Sequence, residues 1–195
     1  MSMARTKGYP EALEKKLKDQ RYYRDDSTPD FIKRVEGTSR TIAHMCYQCG
    51  TCTGSCPSAP RSTYRIRKFM RRAVLGLENE ALTDPDLWLC TTCYSCTDRC
   101  PRDIAPTDVI MAMRNMAFTH DIVPVNFLKT VTAIYASGHG VPNNDVNRAA
   151  REKLGLTRDP PTTHMYPEYM PGIRKILDHY HLKENADRII KEREG

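Results

Sequence analysis

Aromatic bulk is scarce in this chain: one Trp and four Phe among 195 residues, with a hydrophobic fraction of 39%. A core made from so little is modest, and anything bound inside has to help organise it. Long apolar runs are missing too. The longest candidates, 109–113 and 131–136, fall far short of the roughly 18 residues that span a bilayer. Residues 1–28 are polar and hold no apolar segment of the kind a secretory signal carries. The expectation is a soluble, cytoplasmic protein with no membrane span, in a reducing compartment that keeps thiols free. There is no G-x-G-x-x-G fingerprint for a dinucleotide and no C-C-G motif. His120, His139, His164, His179 and His181 show no paired spacing that suggests a metal site.

Cysteine is what the chain does have, and it is strictly placed. Cys46, Cys49, Cys52 and Cys56 are followed by Pro57; Cys90, Cys93, Cys96 and Cys100 are followed by Pro101. Both runs read C-x2-C-x2-C-x3-C-P, and together they use all eight cysteines. This is the pattern of bacterial-type [4Fe–4S] binding, in which the fourth cysteine ligates the other cluster. Three thiolates at i, i+3 and i+6 on a tightly curled backbone can reach three corners of one cubane. The proline turns the chain away after the fourth. The expected sets are Cys46, Cys49, Cys52 and Cys100 for one cluster, and Cys90, Cys93, Cys96 and Cys56 for the other. A zinc site pairs two C-x-x-C units and leaves the triplets and the prolines unexplained. A disulfide framework suits small secreted chains instead.

The clusters also change the charge. The formal net charge is +6, but eight thiolates and two oxidised cores bring it to about +2. The basic balance thus largely offsets the cofactors and does not by itself imply nucleic acid. Between the motifs, Ile66, Phe69, Met70, Ala73, Val74 and Leu77 recur with the period of one buried helical face. Ser62 or Thr63 can cap its start, and Gly76 stands near its end. Arg61, Arg65, Arg67, Lys68, Arg71 and Arg72 cover the other sides, as a solvated face or as a docking patch for an acidic partner. No reader motif for nucleic acid accompanies them. After Pro101 a second helix is expected, entered at Pro106-Thr107-Asp108, with Val109, Ile110, Met113, Met116 and Ala117 as its stripe. Motif, helix, motif, helix, repeating at 44 residues, is the pattern of a mainly α fold, the α-helical ferredoxin, rather than of the compact βαββαβ ferredoxin.

Three segments follow from this. Residues 1–28 are a polar arm, with a thin helix over 11–20 around Leu13 and Leu17. Residues 29–122 are the two-cluster domain. Residues 123–195 are a helical, proline-containing extension for partner contacts, with helices expected over 126–137, 145–154, 173–180 and 185–194. Its stretch 157–172 is expected to be extended, with Tyr166 and Tyr169 as anchors. Asp30 to Glu36 reads as a short helix or strand. His44 reads as a local hydrogen-bonding partner, and Trp88, Tyr47 and Tyr94 as packing over the clusters.

The twin motifs, with Cys46-Tyr-Gln-Cys49-Gly-Thr-Cys52 and the segment from Tyr64 to Gly76, resemble the C subunit of heterodisulfide reductase from methanogenic archaea. The resemblance covers residues 30–120 best. It implies an electron-transfer subunit with no turnover of its own. Electrons would arrive from the flavin-containing, iron–sulfur A subunit of heterodisulfide reductase and leave to its cysteine-rich, catalytic B subunit, which reduces the mixed disulfide of coenzymes M and B. It also implies room for a hydrogenase or formate dehydrogenase in a larger complex. Other oxidoreductases use the same module, among them glycolate oxidase, glycerol-3-phosphate dehydrogenase and fumarate reductase. The fumarate reductase case needs an upstream [2Fe–2S] domain, and the first two usually carry a fused cysteine-rich domain; neither is present here. A binding module with purely structural clusters is the remaining alternative class.

Overall fold

The structure, a computed structural model, describes residues 27–194. The expected arm, except for residues 27 and 28, lies outside them. The chain divides into two compact units, 1–122 and 123–195. Among the described residues there are helices and turns and no strand. No helix there is long and apolar enough to cross a membrane.

The first unit starts with α1 (Phe31–Ser39), which ends at Arg40 in a left-handed conformation. The segment left open between helix and strand is therefore helical, because Phe31 and Val35 at i and i+4 both bury completely. Next come the one-turn helix α2 (Thr51–Gly54) inside the first motif, then α3 (Ile66–Val74) and α4 (Glu78–Thr83). The one-turn α5 (Ser95–Asp98) lies inside the second motif, and α6 (Pro106–Thr119) closes the unit. Helix α1 packs on α6 and α3, α4 packs on α3 and α6, and the two motif helices α2 and α5 pack on each other. The core holds Phe31, Val35, Tyr64, Ile66, Phe69, Met70, Leu87, Val109, Ile110 and Met113, with the cysteines along one side.

The helix between the motifs is shorter than the apolar stripe suggested. It stops at Val74, and Leu77 is buried from the turn beyond it. The reason is Gly76, at φ +71°, where a Cβ would stand 2.8 Å from the carbonyl oxygen of Thr28. The Thr28 amide donates to the Gly76 carbonyl at 2.7 Å. Only glycine combines that left-handed turn with so close a backbone approach. Neither Ser62 nor Thr63 caps α3. The first-motif Thr53 does so instead, its hydroxyl accepting from the Arg67 amide at 3.0 Å. This ties the motif to the helix that follows it.

Half of the basic residues around α3 are used internally, while Arg61, Arg67 and Arg71 stay exposed. Lys68 pairs with Asp84 at 2.9 Å and Asp86 at 2.8 Å, and Arg72 pairs with Asp84 at 2.5 Å and Glu80 at 3.4 Å. Arg65 donates to the carbonyls of Ala59, Ser62 and Tyr64. Arg65, Lys68 and Arg72 thus do not form a free docking patch. Lys68 and Arg72 pin the 3₁₀ turn Pro85–Leu89 that leads into the second motif, and Arg65 braces the loop before α3. Burial would raise the Asp84 pKa, but hydrogen bonds from Arg72 and Lys68 outweigh it and hold the carboxyl below its usual range. Lys68 and Thr63 do the same for Asp86. Because the folded pKa values are depressed, this stability is complete above the ordinary aspartate range and is lost as pH falls below it, through the lower folded values. Asp84→Asn keeps the cap to the Asp86 amide but removes the charge. It is expected to cost about 1–2 kcal/mol at pH 7 in urea unfolding, a difference that closes below about pH 4.

The second unit contains α7 (Val125–Ser137), α8 (Asp145–Lys153), α9 (Met170–His179) and α10 (Leu182–Glu194). Helices α7, α9 and α10 pack together, burying Leu128, Ala186 and Ile189. Gly138 ends α7 in a left-handed cap, and the Asn144 side chain caps α8. The expected extended stretch before α9 instead holds two 3₁₀ turns, and α9 starts at Met170 with Pro171 in its first turn. Proline fits there because a first-turn amide has no helical partner to lose. Tyr166 and Tyr169 do not anchor this stretch. They are 49% and 64% exposed and meet edge to face.

Candidate iron–sulfur centres

Each cysteine triplet sits on the same backbone curl. In the first motif Gln48 and Gly50 take positive φ, at 63° and 87°. In the second motif Thr92 and Tyr94 do so, at 52° and 61°. These are the same positions one repeat apart. Two left-handed residues per motif coil three cysteines around one point. Three of the four are not glycine and carry strain. Such strain persists where the surroundings, here the thiols' common task, over-determine it.

None of the eight cysteines is in a disulfide. One recess is lined by Cys46, Cys49 and Cys52 of the first motif and by Cys100 of the second, with Met70, Ile104 and Pro106 on its apolar side. Cys96 lies in the core beside Tyr64, with Cys56 and Cys90 packed against it, and all three thiols act on the buried Tyr64 hydroxyl. Cys93 is exposed beside them in the sequence, as Cys49 is in the first motif. Among the described residues no three His, Cys, Asp or Glu side chains converge as tightly as a single ion requires. Thiols around a cubane stand farther apart than thiols around one ion, because iron and sulfide lie between them. The donor set and its spacing fit [4Fe–4S].

Electrostatics divides the thiols into two kinds. The Thr51 hydroxyl holds the Cys49 pKa below the usual thiol value, and Ser95 does the same for Cys93. Burial pushes Cys52 up to about 11 and raises Cys96. Cys96 also meets the Thr107 hydroxyl at 3.1 Å.

Other expected neighbours fall into place or out of it. His44 bonds locally: its amide and its Nδ1 both meet Glu36 Oε1, at 2.8 and 2.7 Å. Tyr47 and Tyr94 are 58% and 47% exposed, and the Tyr47 side chain meets the Cys49 thiol. Trp88 is partly buried against the core, under the Arg114 guanidinium. Arg114 and Tyr64 were missed by sequence reasoning. Arg114 donates from Nε to the Leu87 carbonyl at 3.0 Å and from Nη2 to the Cys90 carbonyl at 2.7 Å. Its signal in the sequence was a lone arginine inside an apolar helical stripe.

Residues 42–104, which span both motifs, match the 4Fe-4S dicluster domain family. The chain is 41% identical to the C subunit of the H2:CoB-CoM heterodisulfide, ferredoxin reductase of Methanothermobacter marburgensis, over 76% of this chain and 80% of that protein. The chain belongs to the family of heterodisulfide reductase C subunits. The iron-sulfur C subunit of the Methanopyrus kandleri CoB–CoM heterodisulfide reductase is 38% identical, over 78% and 84%. The C2 subunit of the H2/formate:CoB-CoM heterodisulfide, ferredoxin reductase of Methanococcus maripaludis is 41% identical, over 67% and 71%. Membership of that family makes this chain an iron–sulfur electron-transfer member of an oxidoreductase complex.

Proposed function

We propose that the chain is the two-cluster relay subunit of a CoB–CoM heterodisulfide reductase, working in the cytoplasm. Cys46, Cys49, Cys52 and Cys100 would hold one cluster, and Cys90, Cys93, Cys96 and Cys56 the other. Bound there, each [4Fe–4S] group would store one electron at a time. The observation that supports this most is the recess where three cysteines of one motif share a lining with the fourth of the other. The chain's own part is to hold and insulate. Left-handed residues curl each triplet, the hydroxyls of Thr51, Ser95 and Thr107 bond to sulfur, and the core of 29–122 keeps water off the inner thiols.

The partners on this reading are the flavin-carrying A subunit of heterodisulfide reductase as donor and its cysteine-rich B subunit as the site of disulfide reduction. A hydrogenase or formate dehydrogenase would stand upstream, a place that the H2 and formate in the relatives' names favour. Exposed Val146, Leu154, Ile176 and Tyr180 support residues 123–195 as a surface for partner contact. The chain alone would be non-catalytic, because eight thiols committed to iron leave no nucleophile. Anaerobically prepared full-length chain is expected to hold about eight iron and eight sulfide. It should bleach with dithionite and leave the coenzyme M–coenzyme B disulfide untouched until the cysteine-rich partner is added. Four or fewer irons, or disulfide reduction by the chain alone, would refute the proposal.

A further inference from the structure

We infer that the second centre is built to be the easier of the two to reduce, through Tyr64 and Arg114. The inference rests on the two-cluster reading above. The two halves of the first unit repeat, so unlike residues at matched positions are differences between the centres. The motifs repeat at 44 residues, but the helices after them start at Ile66 and Pro106, forty apart. The side chains agree with that second register. Thr53 meets Arg67, and its repeat mate Thr97 meets Thr107, forty residues beyond Arg67. The loop after the first motif is simply one helical turn longer.

In this register Tyr64 matches Ile104. Both are buried, at 0% and 1% exposure. Ile104 lines the first recess with a hydrocarbon surface. Tyr64 presents a hydroxyl at the second centre, where Cys90, Cys56 and Cys96 act on it. That hydroxyl is buried with no oxygen or nitrogen partner, and the acceptor that acts on it is the Cys90 sulfur. A buried donor without an acceptor is costly, so such a group usually has a use. In the loaded chain the Cys90 sulfur is a cluster ligand.

Arg114 adds charge to the same place. It is 8% exposed, and its matched residue on α3 is the apolar Val74. Its guanidinium bonds to carbonyls, lies over Trp88 and, among the described residues, pairs with no carboxylate. An arginine stays protonated, and a buried cation calls for a counter-charge. The thiolates of the second centre provide one.

The sign follows from the charge. A four-thiolate cluster is anionic, and reduction makes it more so. A donor and a cation therefore stabilise the reduced form more than the oxidised one and raise the potential. The first centre has weaker help. Gln48 Nε2 donates to Cys46 Sγ at 3.4 Å, a neutral dipole in place of a charge. Arg67 lines the first recess but is exposed, so water and salt screen it. The Thr51 and Ser95 hydroxyls are matched and cancel. A single electron taken up by the chain then resides mainly on the second centre.

The test is a redox titration of the full-length, anaerobically loaded chain followed by EPR, with Cys49→Ser and Cys93→Ser assigning the signals. The second centre is expected to titrate at the higher potential. Tyr64→Phe should raise its oxidised-to-reduced ratio at fixed poise several-fold. Arg114→Met should raise it about tenfold, which is about 59 mV for one electron. Arg114→Lys should recover part of that shift, and the first centre should stay put in all three. A higher-potential first centre, or a Tyr64→Phe chain whose two centres both titrate as in the unaltered chain, overturns the inference. If Arg114→Met loses iron, Tyr64→Phe decides alone. Eight irons with unshifted potentials would sink this inference and leave the proposed function standing; four irons would sink both.

Discussion

Cys100→Ala is expected to remove the cluster of the first motif while leaving that of its own motif. Iron should fall from about eight to about four per chain. Cys100 lies in the second run, and motif-by-motif closure would instead have it serve Cys90, Cys93 and Cys96. The shared recess of Cys46, Cys49, Cys52 and Cys100 favours exchange between the motifs. So does the packing of the motif helices α2 and α5 on each other. Spectra of Cys100→Ala set beside those of Cys49→Ser and Cys93→Ser decide the matter. Loss matching the Cys93→Ser spectrum would mean that each run closes on itself. Cys56→Ala should show the converse loss.

Phe69→Ala carries the largest expected cost in stability, about 3–5 kcal/mol in urea unfolding of the loaded chain. Phe69 is fully buried on α3, with its ring 5.8 Å from that of Tyr64. Lys68 Nζ and the Arg72 guanidinium lie 5.2 and 5.7 Å from its centroid. The ring thus joins the core, the ion-pair cluster and the neighbourhood of the second thiol set. A loss under about 1 kcal/mol would show that the site collapses easily and that the core is looser than its burial indicates.

Much of this fold was legible from the residues alone, because the signals are local. The C-x2-C-x2-C curl needs only a few neighbouring residues. The stripes of α3 and α6 follow from a period of 3.6, and their buried members Ile66, Phe69, Met70, Val109, Ile110 and Met113 are those the period selects. Errors gathered where a non-local contact overrides a local rule. Helix α3 stops short because Thr28 approaches Gly76. Its cap comes from Thr53, not from Ser62 beside it. Helix α4 went unnoticed: its buried content is only Ala81 and Leu82, too little to show a period.

The sequence by itself determined the helical class and the iron–sulfur motifs, since spacing and periodicity act over a few residues and survive without a structure; the family came from the resemblance of those motifs to known proteins. The tertiary structure alone decided how charged and polar side chains are spent. Lys68 and Arg72 look like a solvated face or a docking patch in the sequence and bind Asp84 and Asp86 in the fold. Arg114 looks like a blemish in an apolar stripe and lies buried against the Cys90 carbonyl. Tyr64 and Ile104 look unrelated until a repeat register of forty residues matches them. The physical reason is the same in each case. Hydrophobic burial needs only the right face, which a local pattern can specify, whereas a buried charge or hydroxyl needs a particular partner at a particular distance. That partner comes from elsewhere in the chain, and only the folded packing brings the two together.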